Sequence, residues 1–424
     1  MIPPALQHCD FRRLWTSMLF SGVATQMVSV AVGWQVYSIH HRAFDLGLIG
    51  LAEFVPVPLL ALPTGQLADR MSRTRVVAVS TLLEASVVAL LLVVTLGGAH
   101  QLWQFVALAA ATGAAAQLGN PAARSLTPEI VPADMLGSAI ALRSVAGQAA
   151  TIGGPAIGGL LFAFSPEAVY ALGAALLLVA SLYVLRMSSS TPIQRTAGNE
   201  PALQALLGGI RFIRTTPVML GAITLDLFAV LFGGAIALLP LFAKSILHTG
   251  PFGLGVLRSS VAVGALLAGI ALARRPLRGN TGRTLLTVVA AWGVCMVVFG
   301  LSHWFVLSAI ALGVSGFVDM ISVNIRSMIA AFATPNALRG RVNSVEGVFI
   351  GASNELGAFE SGVAASLVGA VPAVVAGGVL TIALAAVWPR VFPALARIDR
   401  MDSLAAGSGD VLPVGTAGGG TGAR

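Results

Sequence analysis

The strongest constraint on this chain is a succession of long apolar runs separated by short charged turns. Residues 16–38, 46–67, 76–97, 101–122, 137–163, 167–186, 217–243, 252–273, 282–301, 305–331, 342–363 and 371–389 each have the length, about 20 residues, that crosses a bilayer as a helix. Inside hydrocarbon a backbone has no water to bond to, so each run must satisfy its own amides and carbonyls as a helix. A closed β-barrel is excluded, because its strands lack continuous apolar segments of this length. The prediction is an all-α membrane protein with twelve transmembrane helices.

Composition agrees, with 56% hydrophobic and 10% charged residues, where soluble domains carry about 25% charged. On a soluble protein the net charge of +8 would suggest a nucleic-acid partner. Here the arginines fall in short turns, which is the footprint of the positive-inside rule and not of a phosphate-binding surface. One set of turns holds Arg12 and Arg13, then Arg70, Arg73 and Arg75, then Arg124, then Arg186, Arg195, Arg211 and Arg214. The same set continues with Arg274, Arg275, Arg278 and Arg283, with Arg339 and Arg341, and with Arg390, Arg397 and Arg400. The alternate turns are nearly neutral apart from Arg42, Lys244 and four histidines, His40, His41, His100 and His248. Both termini are therefore expected in the cytoplasm. Cys9 and Cys295 are too far apart in this plan to suggest a disulfide framework. The run after Arg13 is too long for a signal-peptide core and reads as an uncleaved first span.

The chain divides at its longest arginine-bearing connection. The expected units are a cytoplasmic segment 1–15, a six-helix bundle 16–186, a linker 187–214, a second six-helix bundle 215–389 and a largely disordered tail 390–424. The halves echo each other. Arg124-Ser125, Asp134 and Leu136 recur 202 residues later as Arg326-Ser327, Asn336 and Leu338. A six-plus-six parallel repeat is an architecture of secondary transporters, with the substrate site between the halves near the membrane midplane.

Between the second and third runs stands Gly65-Gln-Leu-Ala-Asp69-Arg70-Met-Ser-Arg73-Thr-Arg75. In sequence and position it resembles the signature loop of the major facilitator superfamily. The resemblance implies that Gly65, Asp69, Arg70 and Arg73 form a cytoplasmic gate motif, the acid contacting the other half. The matching place in the second half, Gly269-Ile-Ala-Leu-Ala273-Arg274-Arg275, lacks the acid. Gly153-Gly154-Pro155-Ala-Ile-Gly158-Gly159 in the fifth run is similar to the antiporter motif of drug/proton exchangers of the superfamily, with Gly154, Pro155, Gly158 and Gly159 as its key positions. Small residues let helices approach closely and Pro155 removes a backbone hydrogen bond, so a generic packing patch is the alternative reading. Asp10-Phe-Arg-Arg-Leu14-Trp15, Trp34-Gln-Val-Tyr37, Asn120-Pro-Ala-Ala-Arg124-Ser125, Thr334-Pro-Asn-Ala-Leu-Arg-Gly-Arg-Val342 and Ser353-Asn-Glu-Leu-Gly357 narrow the resemblance to the enterobactin-exporter-like branch. It covers about residues 10–390. It implies two pseudo-symmetric six-helix bundles, a monomer, and export of a siderophore or drug across the bacterial inner membrane.

Ionisable groups inside a span are costly and are functional candidates by default. Asp226 lies about nine residues into its run, about 13 Å deep at 1.5 Å per residue. Asp319 and Glu355 lie at least as deep. A carboxylate in such surroundings can take up and return a proton, so Asp226, Glu355 and Asp319 are proton-coupling candidates. Structural pairing is the alternative: Arg326 follows Asp319 by seven residues on one helix face and can also meet Glu346. Glu53 reads either as an outer gate or as a substrate contact. Gln26, Trp34, Gln117, Asn324 and Asn354 are further cavity candidates. No phosphate loop occurs, so the drive is not ATP; no metal cluster and no nucleophile elbow are evident, so the chain does not read as an enzyme. The expectation is a proton-driven exporter of a small amphipathic molecule, needing no cofactor and binding no nucleic acid. An uncoupled facilitator, or a sensor or scaffold using the same fold, are the alternatives.

Overall fold

The computed structural model describes residues 4–60, 64, 71–98, 101–132, 135–187, 202–275, 279–335 and 338–399. Every regular element among them is helical. The first half comprises α1 (Cys9–His40), α2 (Ala43–Phe54, running on past a turn to Leu60), α3 (Arg73–Leu96), α4 (Leu102–Ile130), α5 (Leu136–Phe164) and α6 (Pro166–Leu185). A connecting helix α7 (Ala202–Thr215) leads into α8 (Pro217–Gly233), α9 (Gly250–Arg274), α10 (Thr281–Leu301), α11 (Phe305–Ala333), α12 (Arg339–Val368) and α13 (Ala370–Val391).

Eleven of these segments are long and apolar enough to cross a membrane, among the described residues. Apart from the 14-residue connecting helix α7, the remaining one is α12, which has 30 residues, ample length at about 1.5 Å each. It falls below the apolar standard because Arg339, Arg341, Glu346, Glu355 and Glu360 all lie on it. Pro121, Pro128 and Pro155 sit inside helices without ending them, which neighbouring helices allow in a membrane bundle. The tight turn from α5 to α6 is set by Ser165, whose hydroxyl accepts the Ala168 amide at 3.1 Å, and by Pro166 at the first helical position.

One sequence expectation is corrected. The run 217–243 is not one continuous helix. It stops at Gly233, continues as a 3-10 turn over Ala235–Leu238, and ends in a π-helical turn over Phe242–Ile246. Gly233 and Gly234 pack too closely for any side chain, against the Trp292 ring and the Gly357 carbonyl respectively, and Pro240 removes a helix donor. The expected linker 187–214 contains a helix among its described residues. Its second part is α7, whose Gly209 lies on the Arg341 carbonyl and whose Ile213 is buried in the second-half core.

The halves repeat each other in three dimensions. In the first half α1 packs on α5 and α6, α3 on α4 and α6, and α2 on α4. In the second half α8 packs on α12 and α13, α10 on α11 and α13, and α9 on α11. These are the same five pairings shifted by six spans. Between the halves the principal contacts are α2 with α12 and α5 with α9, which are equivalents of one another. Alternation of helix direction gathers the arginine-bearing turns at one end of the bundle. At that end each half has its own core, one around Phe11, Leu14 and Leu126, the other around Leu225, Leu285 and Trp388. At the arginine-poor end a single core joins Val30, Trp34 and Ala43 of the first half to Leu238, Phe242, Leu257 and Phe299 of the second.

Candidate functional site between the halves

The closure on the arginine-poor side is built from glycine. A Cβ on Gly159 of α5 would lie 2.5 Å from the Pro251 carbonyl oxygen, and one on Gly255 of α9 would lie 2.5 Å from the Pro155 carbonyl oxygen. The other closure mirrors it: a Cβ on Gly47 of α2 would lie 3.0 Å from the Phe359 carbonyl oxygen of α12. Hydrogen bonds stitch the same surfaces. Ser259 donates to the Ile152 carbonyl at 2.7 Å, Gln148 to the Ala262 carbonyl at 2.7 Å, and Tyr37 and Ser245 share a bond of 2.8 Å. Lys244 stands 5.9 Å from the centre of the Trp34 ring, a cation–π contact across the halves.

The candidate antiporter motif thus has two faces. Gly154 and Gly158, four apart, pack on Gln26 and Met27 of α1 inside the first half. Pro155 and Gly159 meet α9 of the second half. One stripe holds a bundle together while the adjacent stripe closes the gap between bundles.

Beneath the closure lies a cavity of about 450 Å³. The first half supplies Ser29 and Gly33 from α1 and Gly50 and Glu53 from α2. The second half supplies Asp226, Gly233, Arg258, Trp292, Asp319, Asn354 and Glu355 from five helices. Two charged groupings meet there. Arg258 of α9 lies within electrostatic reach of Glu53 and Glu355, one acid from each half. Glu355 presses close to the first half: its Oε2 would lie 3.2 Å from a Cβ on Gly50. The second grouping is internal to the second half. Arg326 forms a buried ion pair with Asp226, and Asp319 and Glu346 stand nearby. The Arg326 Nε is buried without a partner.

Each sequence candidate can now be placed. Glu53, Asp226, Asp319, Asn354 and Glu355 line the cavity. Gln26, Trp34, Gln117 and Asn324 are not in its lining. Gln26 is taken up beside Gly154, and Trp34 is buried in the core joining the halves. Arg326 bonds Asp226 on α8, with Asp319 and Glu346 within its electrostatic reach. Gly65, Asp69 and Arg70 lie outside the described residues. Arg73 is described and is ion-paired with Glu129 of α4. Trp292, Gln148 and Ser259 carry no sequence signal, since an isolated polar or aromatic residue in an apolar run looks like packing. Among the described residues no cluster of His, Cys, Asp and Glu could hold a metal ion.

Comparison with known proteins fixes the family. The sequence profile of the transmembrane secretion effectors matches residues 3–410. The multidrug efflux pump Tap of Mycolicibacterium fortuitum is 27% identical over 362 residues, 83% of this chain and 88% of that one. The enterobactin exporter EntS of Citrobacter koseri is 27% identical over 407 residues, 89% of this chain and 92% of that one. Among solved structures, a bacterial homologue of the lysosomal transporter Spinster, in an inward-facing and occupied conformation, superposes with a TM-score of 0.70 at 12% identity, covering 91% of this chain and 97% of that one. The repeated helix pairings, the central cavity and the matched profile agree, and this chain belongs to the transmembrane secretion effector family of the major facilitator superfamily.

Proposed function

We propose that this protein is a secondary exporter that carries a small amphipathic molecule through the central cavity by alternating access. The observation that carries the reading is the position of that cavity: it lies at the junction of two pseudo-equivalent bundles, beneath a closure made of glycine contacts. The names of the relatives, an efflux pump and an enterobactin exporter, support export of a drug or siderophore. The arginine-rich end is taken as cytoplasmic, with both termini there and the chain in the bacterial inner membrane as a monomer. In the state described, cargo would enter from the cytoplasm, and closure of that side by the loop at Asp69 would accompany opening of the other.

The driving force is proposed to be the proton gradient, with Glu355, Asp226 and Asp319 as the groups that take up the proton. An efflux-deficient bacterial host expressing the protein should show reduced accumulation of at least one compound in a panel of amphipathic drugs and catechol amides. A protonophore should abolish the reduction, and Glu355→Gln should lose the gradient-driven component. If nothing in the panel is moved, the exporter reading fails. If the reduction persists unchanged with the gradient collapsed, the proton is not the driving ion; a facilitator would only speed the equilibration of preloaded compound and give no reduction.

A further inference from the structure

The wall of the cavity is electrically lopsided. Four carboxylates line it, from Glu53, Asp226, Asp319 and Glu355, against the single guanidinium of Arg258. The cation just behind the wall, Arg326, is committed to Asp226. Arg258 offsets one of Glu53 and Glu355, which it faces from α9. Asp319 also feels Arg326, but that guanidinium is bonded to Asp226. Asp319 is exposed to the cavity, and among the described residues it has no hydrogen bond and no ion pair. The same wall offers apolar and aromatic surface from Trp292 and Met296. The Trp292 ring is held in place by Gly233, where a Cβ would overlap it. A carboxylate beside an indole, in a space of ligand size, is an arrangement that stabilises organic cations.

Resting on the exporter reading above, we propose that the cavity selects an amphipathic organic cation, with Asp319 taking its charge and Trp292 and Met296 its apolar body. An anion of the same shape would meet an excess of negative charge. The recognising groups are specific to the second half, so the cargo's charge is read by one bundle while its body also touches Ser29, Gly33 and Gly50 of the other.

Tetraphenylphosphonium and tetraphenylborate test this, since they share size and shape and differ in sign. Equilibrium binding is measured on the purified full-length protein in detergent, corrected against empty micelles. The cation should bind saturably and at least about tenfold tighter than the anion, each tenfold being one decade of dissociation constant. Asp319→Asn should remove most of that preference, and Asp319→Glu, which keeps the charge, should retain it. Glu84→Gln, in α3 and away from the cavity lining, should leave it unchanged. Equal binding of the two ions, tighter binding of the anion, or an unaltered preference in Asp319→Asn would overturn the inference. Binding decides the cargo's charge whether or not transport is seen, while the drug-panel experiment decides the exporter reading separately.

Discussion

Gly159→Ala should push the protein out of the conformation described. The new Cβ would lie 2.5 Å from the Pro251 carbonyl oxygen, 3.0 Å from the Gly255 Cα and 3.1 Å from the Gly255 nitrogen, where ordinary contact begins at 3.4 Å. The obstructing atoms are all backbone, so no rotamer change relieves them. Relief requires α5 and α9 to part, and overpacking of this kind costs about 1–3 kcal/mol. The cost falls on the state closed at the arginine-poor end and is spared in the state where α5 and α9 separate. The equilibrium should therefore shift about 5- to 150-fold toward opening there. Gly158→Ala is the control. Its Cβ would lie 2.7 Å from the Met27 carbonyl oxygen, equally crowded but within the first half. It should lower thermal stability without moving the equilibrium. Spin labels at Trp103 on α4 and Leu367 on α12, both exposed at the arginine-poor end, report the separation once Cys9 and Cys295 are replaced. A folded Gly159→Ala protein with an unchanged distance distribution would refute the argument, as would an equal shift in Gly158→Ala.

Three further outcomes follow from the same geometry. Arg326→Ala leaves Asp226 buried without its cation and with Asp319 and Glu346 nearby, and should cost about 3–5 kcal/mol of stability, read as a large fall in melting temperature of the detergent-solubilised protein. Tyr37→Phe removes the 2.8 Å bond to Ser245 across the halves and should weaken the closed state by about 0.5–1.5 kcal/mol, visible as a smaller shift in the same spin-label distances. Arg258→Gln leaves Glu53 and Glu355 facing each other from opposite halves with no cation between them, and should favour separation of α2 from α12; a distribution unmoved from the native one would show that Arg258 does not bridge the halves.

The membrane-spanning plan was readable because burial in lipid imposes length and apolarity on each helix separately. Relations between helices were not. Asp319 and Arg326 sit seven residues apart and share a face, which makes them look like partners. The bond from Arg326 goes to Asp226, because the rotation of α8 about its own axis decides which side chain arrives, and hydropathy within one span does not encode that rotation. The glycine cluster at 153–159 signals close packing on its face, yet which glycines close on α1 and which on α9 emerges only when both neighbours are in place. The break after Gly233 was hidden for a related reason. The run stays apolar throughout, and it is the Trp292 ring, supplied by another helix, that requires the glycine there. Trp34 and Gln26 lie in packing contacts in this conformation, a placement that amphipathic character at cavity depth does not reveal.

The two halves share helix pairings but not chemistry. Among the charged side chains lining the cavity, Glu53 alone belongs to the first half. Asp226, Asp319, Arg326 and Glu346 all lie on α8, α11 and α12, within one bundle, so rocking one half against the other leaves their mutual distances nearly fixed. The grouping of Glu53, Arg258 and Glu355 straddles the boundary, so separation of the halves would change its distances. Arg258 also lies between Gly255, which packs on Pro155, and Ser259, which bonds the Ile152 carbonyl. Glu355 lies four residues before Phe359, which packs on Gly47. Arg258 and Glu355 of the straddling group are therefore carried on the same helices, α9 and α12, that form the two closures. A ligand or proton shifts a conformational equilibrium only by its difference in affinity for the two states. A proton bound solely within the Asp226 grouping meets nearly the same surroundings in both states and has little such difference. One bound at Glu53 or Glu355 changes the charge that Arg258 holds between the halves. On the proposed proton coupling, this requirement favours Glu355 and Glu53 over Asp226, whose ion pair with Arg326 lies within one bundle.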